Sequence, residues 1–137
     1  MRIEPPEMTG LDTNILVRLL AQDDPEQSQR AVEFLQTLSP DRPGYVSLIS
    51  LIELIWVLRS QYRMDKARLI LGLEWLLNSV ELILESQEAV AQALGRFASM
   101  KADFADCLIE RSCHVAGCRE TVTFDVDASR NAGMTLL

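Results

Sequence analysis

Short apolar runs alternate along the chain with longer segments in which apolar residues recur at helical spacing. The short runs predict β-strands, and the longer segments predict α-helices. Strands are predicted at Met8–Leu11, Tyr45–Ser47, Val80–Leu84, Thr121–Phe124 and Met134–Leu137. Helices are predicted at Asn14–Ala21, Glu26–Leu38, Leu48–Tyr62, Asp65–Asn78, Gln87–Met100 and Phe104–Ala116, with a short helix between the last two strands. Pro25 suits the first turn of the second helix, and Gly117 suits the stop of the sixth. The alternation indicates an α/β fold with a mainly parallel central sheet of four to five strands.

The chain has 137 residues and carries no repeat, linker or low-complexity segment. Residues 1–137 are therefore predicted to form one domain, long enough to bury a core without disulfide or metal staples. Residues 1–7, which include Pro5 and Pro6, are expected to be a loose tail, and Met8 is an alternative natural start.

The formal net charge is −7, which argues against a protein that binds nucleic acid by charge alone. Two interpretations of the excess acid remain open: a solvated surface, or carboxylates concentrated in a metal site. Cys107, Cys113 and Cys118 show neither disulfide nor zinc spacing, and His114 is the only histidine. The first ten residues lack the apolar segment typical of a signal peptide, and no apolar run reaches membrane-spanning length. We therefore expect a reduced, cytoplasmic protein with no membrane segment.

Acidic residues follow two of the predicted strands. Asp12 comes directly after the first strand, and Asp125 and Asp127 follow the strand that ends at Phe124. In open α/β sheets, sites lie outside the carboxyl ends of the strands, so these positions favour a functional site. Helix or turn capping is the alternative role for each of them.

Two further acids lie on predicted helices. Glu53 is surrounded in sequence by apolar residues on nearly every helical face, which predicts a buried helix and a costly charge unless it is paired or bound to metal. The alternative is a glutamate on a narrow solvent-exposed stripe with Ser50. Asp103 and Asp106 are three residues apart and share a helix face, where either could instead serve the helix start.

Together these acids predict an oxygen-rich cation site. Closely placed carboxylates repel one another unless a cation or a proton intervenes, and such a ligand set suits Mg²⁺ or Mn²⁺. A metal of this kind lowers the pKa of bound water and stabilises charge on a phosphoryl group. No serine–histidine motif, Walker loop or dinucleotide-binding glycine motif competes with this interpretation.

Four segments resemble the successive motifs of PIN-domain ribonucleases, and most closely those of VapC toxins from bacterial toxin–antitoxin modules. The segments are Leu11–Arg18, Ser50–Glu53, Ala102–Ile109 and Thr123–Asp125. The resemblance covers essentially the whole chain from Met8. It implies an α/β/α sandwich, an endoribonuclease activity dependent on Mg²⁺ or Mn²⁺, a homodimer, and a cognate antitoxin through which alone the complex would bind operator DNA.

The resemblance also assigns roles to residues. The motif acids correspond to Asp12, Glu53, Asp106 and Asp125, and Asp127 is close enough to share or take the last position. Thr13, Asn14 and Asp103 correspond to residues that support these acids, while Cys107 replaces the alanine expected after Asp106. Basic side chains that are candidates for RNA backbone contacts are Arg18, Arg96, Lys101 and Arg130.

The sequence therefore predicts a toxin that hydrolyses RNA phosphodiester bonds with a carboxylate-bound metal. Two alternatives remain: a catalytically silent PIN-like binding or scaffold module, and a phosphatase of the haloacid-dehalogenase type. That phosphatase class uses D-x-D, whereas Asn14 occupies the second position here. Trp56, Leu69, Leu73, Trp75 and Leu76 are expected to provide an apolar surface for self-association, and the helices near Trp56 and Trp75 a groove for an antitoxin helix.

Overall fold

The computed structural model describes residues 7–137, so the predicted N-terminal tail lies outside the described residues except for Glu7. The chain divides into two compact units, the first ending at Glu85 and the second beginning at Ser86. In the described part of the chain, no helix has both the length and the apolar character needed to cross a membrane.

The first unit alternates single strands with pairs of helices. Its elements are β1 (Thr9–Gly10), α1 (Thr13–Ala21), α2 (Pro25–Gln36), β2 (Gly44–Val46), α3 (Leu48–Ser60), α4 (Lys66–Asn78) and β3 (Leu82–Leu84). The three strands form a parallel sheet in the order β1-β2-β3, with Thr9 opposite Gly44 and Gly44 opposite Leu82. Since all three strands run the same way, the residues that follow them lie at one edge of the sheet.

The core of the first unit is built from leucines spaced at helical intervals. Helix α1 packs against α2 and α3, and α4 packs against β3. The fully buried leucines of these helices are Leu16, Leu51, Leu54, Leu58, Leu69, Leu73 and Leu76. Helix α2 begins as its sequence predicts, because Asp24 accepts a capping hydrogen bond from the Gln27 amide and Pro25 occupies the first turn.

The second unit begins with two helices and ends with a small parallel ribbon. Its elements are α5 (Gln87–Ser99), α6 (Phe104–Val115), β4 (Val122–Thr123), α7 (Val126–Asn131) and β5 (Thr135–Leu136). Helices α5 and α6 pack together, and the Phe97 and Phe104 rings meet edge to face at 5.7 Å. Strand β4 pairs parallel with β5, and Val122 lies opposite Thr135.

The predicted α/β class with parallel strands is confirmed. The five predicted strands all occur, and four of them are shorter than predicted. They form a sheet of three strands and a ribbon of two, rather than the predicted sheet of four to five strands. The predicted helix stop at Gly117 is also confirmed, because this residue has a φ of +101° and donates its amide to the His114 carbonyl.

Candidate active site

Asp12 stands at the junction between β1 and α1. The Leu11 amide continues the strand ladder by donating to the Tyr45 carbonyl, and the chain then turns into the helix with Asp12 as its N-cap. The Asp12 side chain is exposed and accepts a 2.7 Å hydrogen bond from the Thr13 amide. One carboxylate oxygen therefore orients the side chain, and the other is available to a ligand. Thr13 is buried behind it, whereas Asn14 is exposed.

Glu53 lies in the middle of α3, which packs against α1, the helix that Asp12 caps. The expectation that Glu53 is buried is wrong, because its side chain is exposed. Helix α3 presents one face to solvent despite its apolar composition: Ile49 is 80% exposed and Trp56 is 62% exposed. Glu53 belongs to that exposed face, so the argument that its charge is buried and needs a metal does not apply. Its role as a metal ligand stays a prediction.

Glu85 is an acid at the same sheet edge that sequence reasoning missed. It directly follows β3, and its Oε1 accepts a 2.9 Å hydrogen bond from the Leu48 amide at the start of α3. Ser47 caps the same helix by accepting from the Ser50 amide. The signal was present, because the rule that singled out Asp12 after β1 applies equally to Glu85 after β3.

In the second unit, Asp106 is the acid with the most perturbed environment. It lies in the first turn of α6 and is half-buried. Burial raises the pKa of this carboxyl above its usual value, and the charges of Asp103 and Asp125 raise it further. Asp103 occupies the N-cap position of α6, but its side chain makes no capping hydrogen bond there. The charge of Asp103 acts on Asp106, and the supporting role predicted for Asp103 stays a prediction.

Asp125 caps α7 and also acts electrostatically on Asp106. Its Oδ1 accepts hydrogen bonds from the amides of Asp127 and Ala128, at 2.8 and 3.3 Å, and its own amide donates to the Thr123 hydroxyl. Asp127 is exposed in the first turn of α7 and is not among the charges that raise the pKa of Asp106. Asp125 can both cap α7 and bind a metal, because the two capping hydrogen bonds use only its Oδ1.

The donor chemistry of these acids suits a hard divalent cation, since carboxylate oxygens are the ligands that Mg²⁺ and Mn²⁺ prefer. The raised pKa of Asp106 marks a place where negative charges repel and where a cation would relieve the repulsion. Within residues 7–137, however, no three His, Cys, Asp or Glu side chains converge in an arrangement that could hold an ion. The acids thus suit a divalent metal by the chemistry of their donor atoms.

Arg18, one of the four basic candidates for RNA contacts, is engaged within the protein. Its guanidinium donates to Asp23 at 2.8 Å, to Gln27 at 2.6 Å and to the Tyr62 hydroxyl at 3.1 Å. Tyr62 in turn donates to the other oxygen of Asp23 at 2.8 Å. The Tyr62 hydrogen bond is the main cause that lowers the pKa of Asp23 and raises that of Arg18. Arg18 therefore ties α1 to the end of α3, a role that its position in the sequence did not suggest.

Arg96 is also engaged, with Glu110 of α6 and the carbonyl of Ala132. Lys101 and Arg130 are exposed and remain the candidates for contacts with a phosphate backbone.

Comparison with known proteins identifies the family. A comparison with curated proteins found no match. Residues 11–134, by contrast, match the PIN domain family, and this span contains every acid described above. PIN domains are generally nucleases, and PIN-domain nucleases generally use divalent metals, which agrees with the carboxylate-rich helix starts of both units. Because the match covers nearly the whole chain, the protein belongs to the PIN domain family.

Proposed function

We propose that this protein is a metal-dependent endoribonuclease and the toxin of a toxin–antitoxin pair that acts in the cytoplasm. The observation that carries the nuclease proposal is Asp106, a half-buried carboxyl in the field of Asp103 and Asp125 on a chain of the PIN family. Repulsion between carboxylates lowers the stability of the folded protein. Carboxylates with perturbed pKa values are commonly found at functional sites. The family match leaves the phosphatase alternative without support.

Asp12, Glu53, Asp106 and Asp125 are the proposed ligands, with Asp127 as the alternative to Asp125. When bound, Mg²⁺ or Mn²⁺ would lower the pKa of a water and offset charge on the phosphoryl group. Asp12 is held by its hydrogen bond to the Thr13 amide, and Asp125 by its two capping hydrogen bonds. Each of these two carboxylates therefore enters the reaction with its orientation already restricted. Lys101 and Arg130, whose side chains are exposed, would bind the RNA backbone.

The test is cleavage of single-stranded RNA by the purified protein with Mg²⁺ or Mn²⁺ and with a chelator. Asp106→Asn is the inactive variant, and Glu120→Gln, an exposed acid of the same unit, is the matched control. We expect metal-dependent cleavage by the parent and by Glu120→Gln only. Equal cleavage by Asp106→Asn would overturn the role of this carboxylate, and no cleavage by the parent would support the silent scaffold. A single-stranded DNA substrate and a small phosphomonoester separate ribonuclease from deoxyribonuclease and phosphatase activity.

Comparing Asp125→Asn with Asp127→Asn decides which acid completes the site. Asparagine retains the capping ability of Asp125, so the first variant should fold and lose activity while the second stays active. The reverse result would assign the role to Asp127.

The toxin proposal draws on the exposed apolar face of α3. Leu48, Ile49, Ile52, Glu53 and Trp56 line a groove of about 510 Å³, in which apolar side chains surround one acid. An amphipathic antitoxin helix with a basic residue beside its apolar stripe would match this face. Trp75, which the sequence placed with Trp56, does not line this groove.

Co-expression with a neighbouring small open reading frame tests the toxin proposal. We expect growth arrest on induction of the parent alone, relief by the antitoxin, and operator DNA binding only by the complex. Ile49→Asp should lose the antitoxin while metal-dependent RNA cleavage persists. If no neighbouring protein binds, the toxin proposal fails and the nuclease proposal stands. Mapping of RNA ends after brief induction would identify the RNA target.

The homodimer proposal uses a different surface. Leu69, Leu73 and Leu76 are buried in the core, so the prediction that they face a partner is wrong. Leu71 and Trp75, four residues apart on α4, are 64% and 37% exposed. We propose these two side chains as the apolar surface for self-association. Light scattering should give a dimer mass for the parent and a monomer mass for Leu71→Glu. A monomeric parent at micromolar concentration would refute the proposal.

A further inference from the structure

Arg96 connects two elements of the second unit that carry candidate catalytic acids. It lies in the last turn of α5, and its Nη1 donates to Glu110 Oε2 at 3.0 Å and to the Ala132 carbonyl at 2.9 Å. Glu110 belongs to α6, the helix of Asp106, and Ala132 ends α7, the helix that Asp125 begins. One guanidinium nitrogen thus joins the two helices.

On the α6 side of this connection, several hydrogen bonds hold the Glu110 side chain. Glu110 follows Asp106 by four residues, so the two side chains lie one above the other on the helix. The Glu110 side chain is only 12% exposed, and Arg111 donates to both of its oxygens. Arg111 also donates to Gln92 of α5 at 3.2 Å. Hydrogen bonding from Arg111 and the charges of Arg111 and Arg96 hold the pKa of Glu110 below its usual value, so the carboxylate stays charged.

On the α7 side, the Arg96 guanidinium approaches the backbone closely at Gly133. Gly133 follows Ala132 and has a φ of +81°. A Cβ atom at Gly133 would lie 2.5 Å from Arg96 Nη1. Helix α7 spans only Val126–Asn131, so the position of its C-terminal carbonyl largely fixes the position of Asp125 at its other end.

We propose that Arg96 is a positioning residue that holds α7 against α6 and thereby fixes the separation of Asp125 from Asp106. This inference rests on the proposed nuclease function only in one respect, namely that the separation of the two acids matters for metal binding and cleavage. It replaces the RNA-contact role that the sequence suggested for Arg96, because both hydrogen bonds of Nη1 go to the protein itself. Supporting residues of this kind typically change metal affinity or activity by about 10–100-fold when they are removed.

The experiment compares Arg96→Gln and Arg96→Lys with the parent, using Arg119→Gln as the matched control because Arg119 is 93% exposed. Three quantities are measured: the affinity for Mn²⁺ alone by calorimetry, kcat and KM for RNA cleavage at two salt concentrations, and amide hydrogen exchange across Val126–Leu136. For Arg96→Gln we expect Mn²⁺ affinity and kcat to fall together by about 10–100-fold. KM and its salt dependence should stay near the parent values, and α7 amides should exchange faster.

Arg96→Lys should be intermediate, since a lysine retains the charge but lacks the reach and the planar donor geometry of arginine. This variant decides the question if Arg96→Gln does not fold. A higher KM with a weaker salt dependence and unchanged kcat would show an RNA contact and overturn the proposal. Unchanged kcat and Mn²⁺ affinity in both Arg96 variants would also overturn it.

The proposed function fails separately from this inference. If the parent binds Mn²⁺ but cleaves no RNA, the nuclease proposal is lost, while the Mn²⁺ affinities of the variants still decide the role of Arg96. If the parent binds no Mn²⁺, the nuclease proposal is lost, while amide exchange in α7 of the two Arg96 variants still decides whether Arg96 holds α7 against α6.

Discussion

The two units present their acids in opposite physical settings. In the first unit, Asp12, Glu53 and Glu85 are exposed, and two of them accept hydrogen bonds from amides at helix starts. In the second unit, Asp106 is half-buried and lies in the field of Asp103 and Asp125. The first setting stabilises a carboxylate through helix-end amides, and the second destabilises its charged form. An aspartate thus caps a helix in the first unit, whereas an aspartate in the second unit is repelled by neighbouring carboxylates.

The difference shows that apolar neighbours in sequence are a poor guide to the burial of an acid. Glu53 has more apolar neighbours in sequence than Asp106, yet Glu53 is exposed and Asp106 is half-buried. Helix α3 carries more apolar side chains than its packing uses, and the surplus faces solvent at Ile49 and Trp56. Which face of such a helix is covered depends on partners far along the chain.

The largest expected effect is the loss of RNA cleavage on replacing an acid of either unit. The same variants should differ between the units in thermal stability. Asp12→Asn and Asp106→Asn should each reduce RNA cleavage by about 10²–10³-fold, because each removes a charged ligand worth several kcal/mol in the transition state. In metal-free thermal unfolding at pH 7, Asp106→Asn should melt above the parent, since it removes a repelled charge. Asp12→Asn should melt near the parent, because asparagine also caps helices. Equal stabilisation by both variants would refute the comparison, and Asp41→Asn is the neutral control.

Glu53→Gln should lower cleavage by about 10–100-fold, as expected for a weaker or more peripheral ligand. Its metal-free melting temperature should stay close to that of the parent, because an exposed side chain contributes little to stability. A marked destabilisation would point to a structural ion pair, and unchanged activity would remove Glu53 from the proposed site.

Glu85→Ala should destabilise the first unit by about 1 kcal/mol through loss of the hydrogen bond to the Leu48 amide at the start of α3. Glu85→Gln keeps an accepting oxygen and should lose less. Chemical denaturation at pH 7 measures both variants. If Glu85→Ala and Glu85→Gln unfold alike, the hydrogen bond is not what stabilises the helix start.

The smallest effect is a contrast in pH dependence. The pKa of Asp106 is raised, so its contribution to stability is complete below pH 3.8 and is lost as pH rises through the folded-state value. The pKa of Asp23 is lowered, so its contribution is present above pH 3.8 and is lost as pH falls through the folded-state value.

Denaturation curves of Asp106→Asn and Tyr62→Phe between pH 3 and pH 7 test this contrast. Relative to the parent, Asp106→Asn should gain stability as pH rises. Tyr62→Phe removes the main cause of the Asp23 shift, so its deficit should be largest at pH 7 and shrink toward pH 3. The same trend in both variants would contradict the assigned causes.

Local patterns predicted most of the fold. Pro25 and Gly117 lie at a helix start and a helix stop as the sequence indicates, and each of the five strands overlaps a predicted strand. The errors concern burial, which depends on residues distant in the sequence. Leu69, Leu73 and Leu76 were predicted to lie on an outer surface, but they are buried in the core. The contacts of Arg96 with Glu110 and Ala132 carry no local signature, because the partners are 14 and 36 residues away.

The parallel pairings also set an order in which the chain can fold. Thr9 pairs with Gly44 and Gly44 with Leu82, so each contact in the first unit closes a long loop, whereas Val122 pairs with the nearby Thr135. Loop closure over longer distances costs more chain entropy and slows folding. On the ribosome, the first sheet cannot form until β3 has emerged, while the ribbon of the second unit closes soon after its own synthesis. We therefore expect the non-local sheet that ends at Asp12 to form more slowly than the ribbon of the second unit.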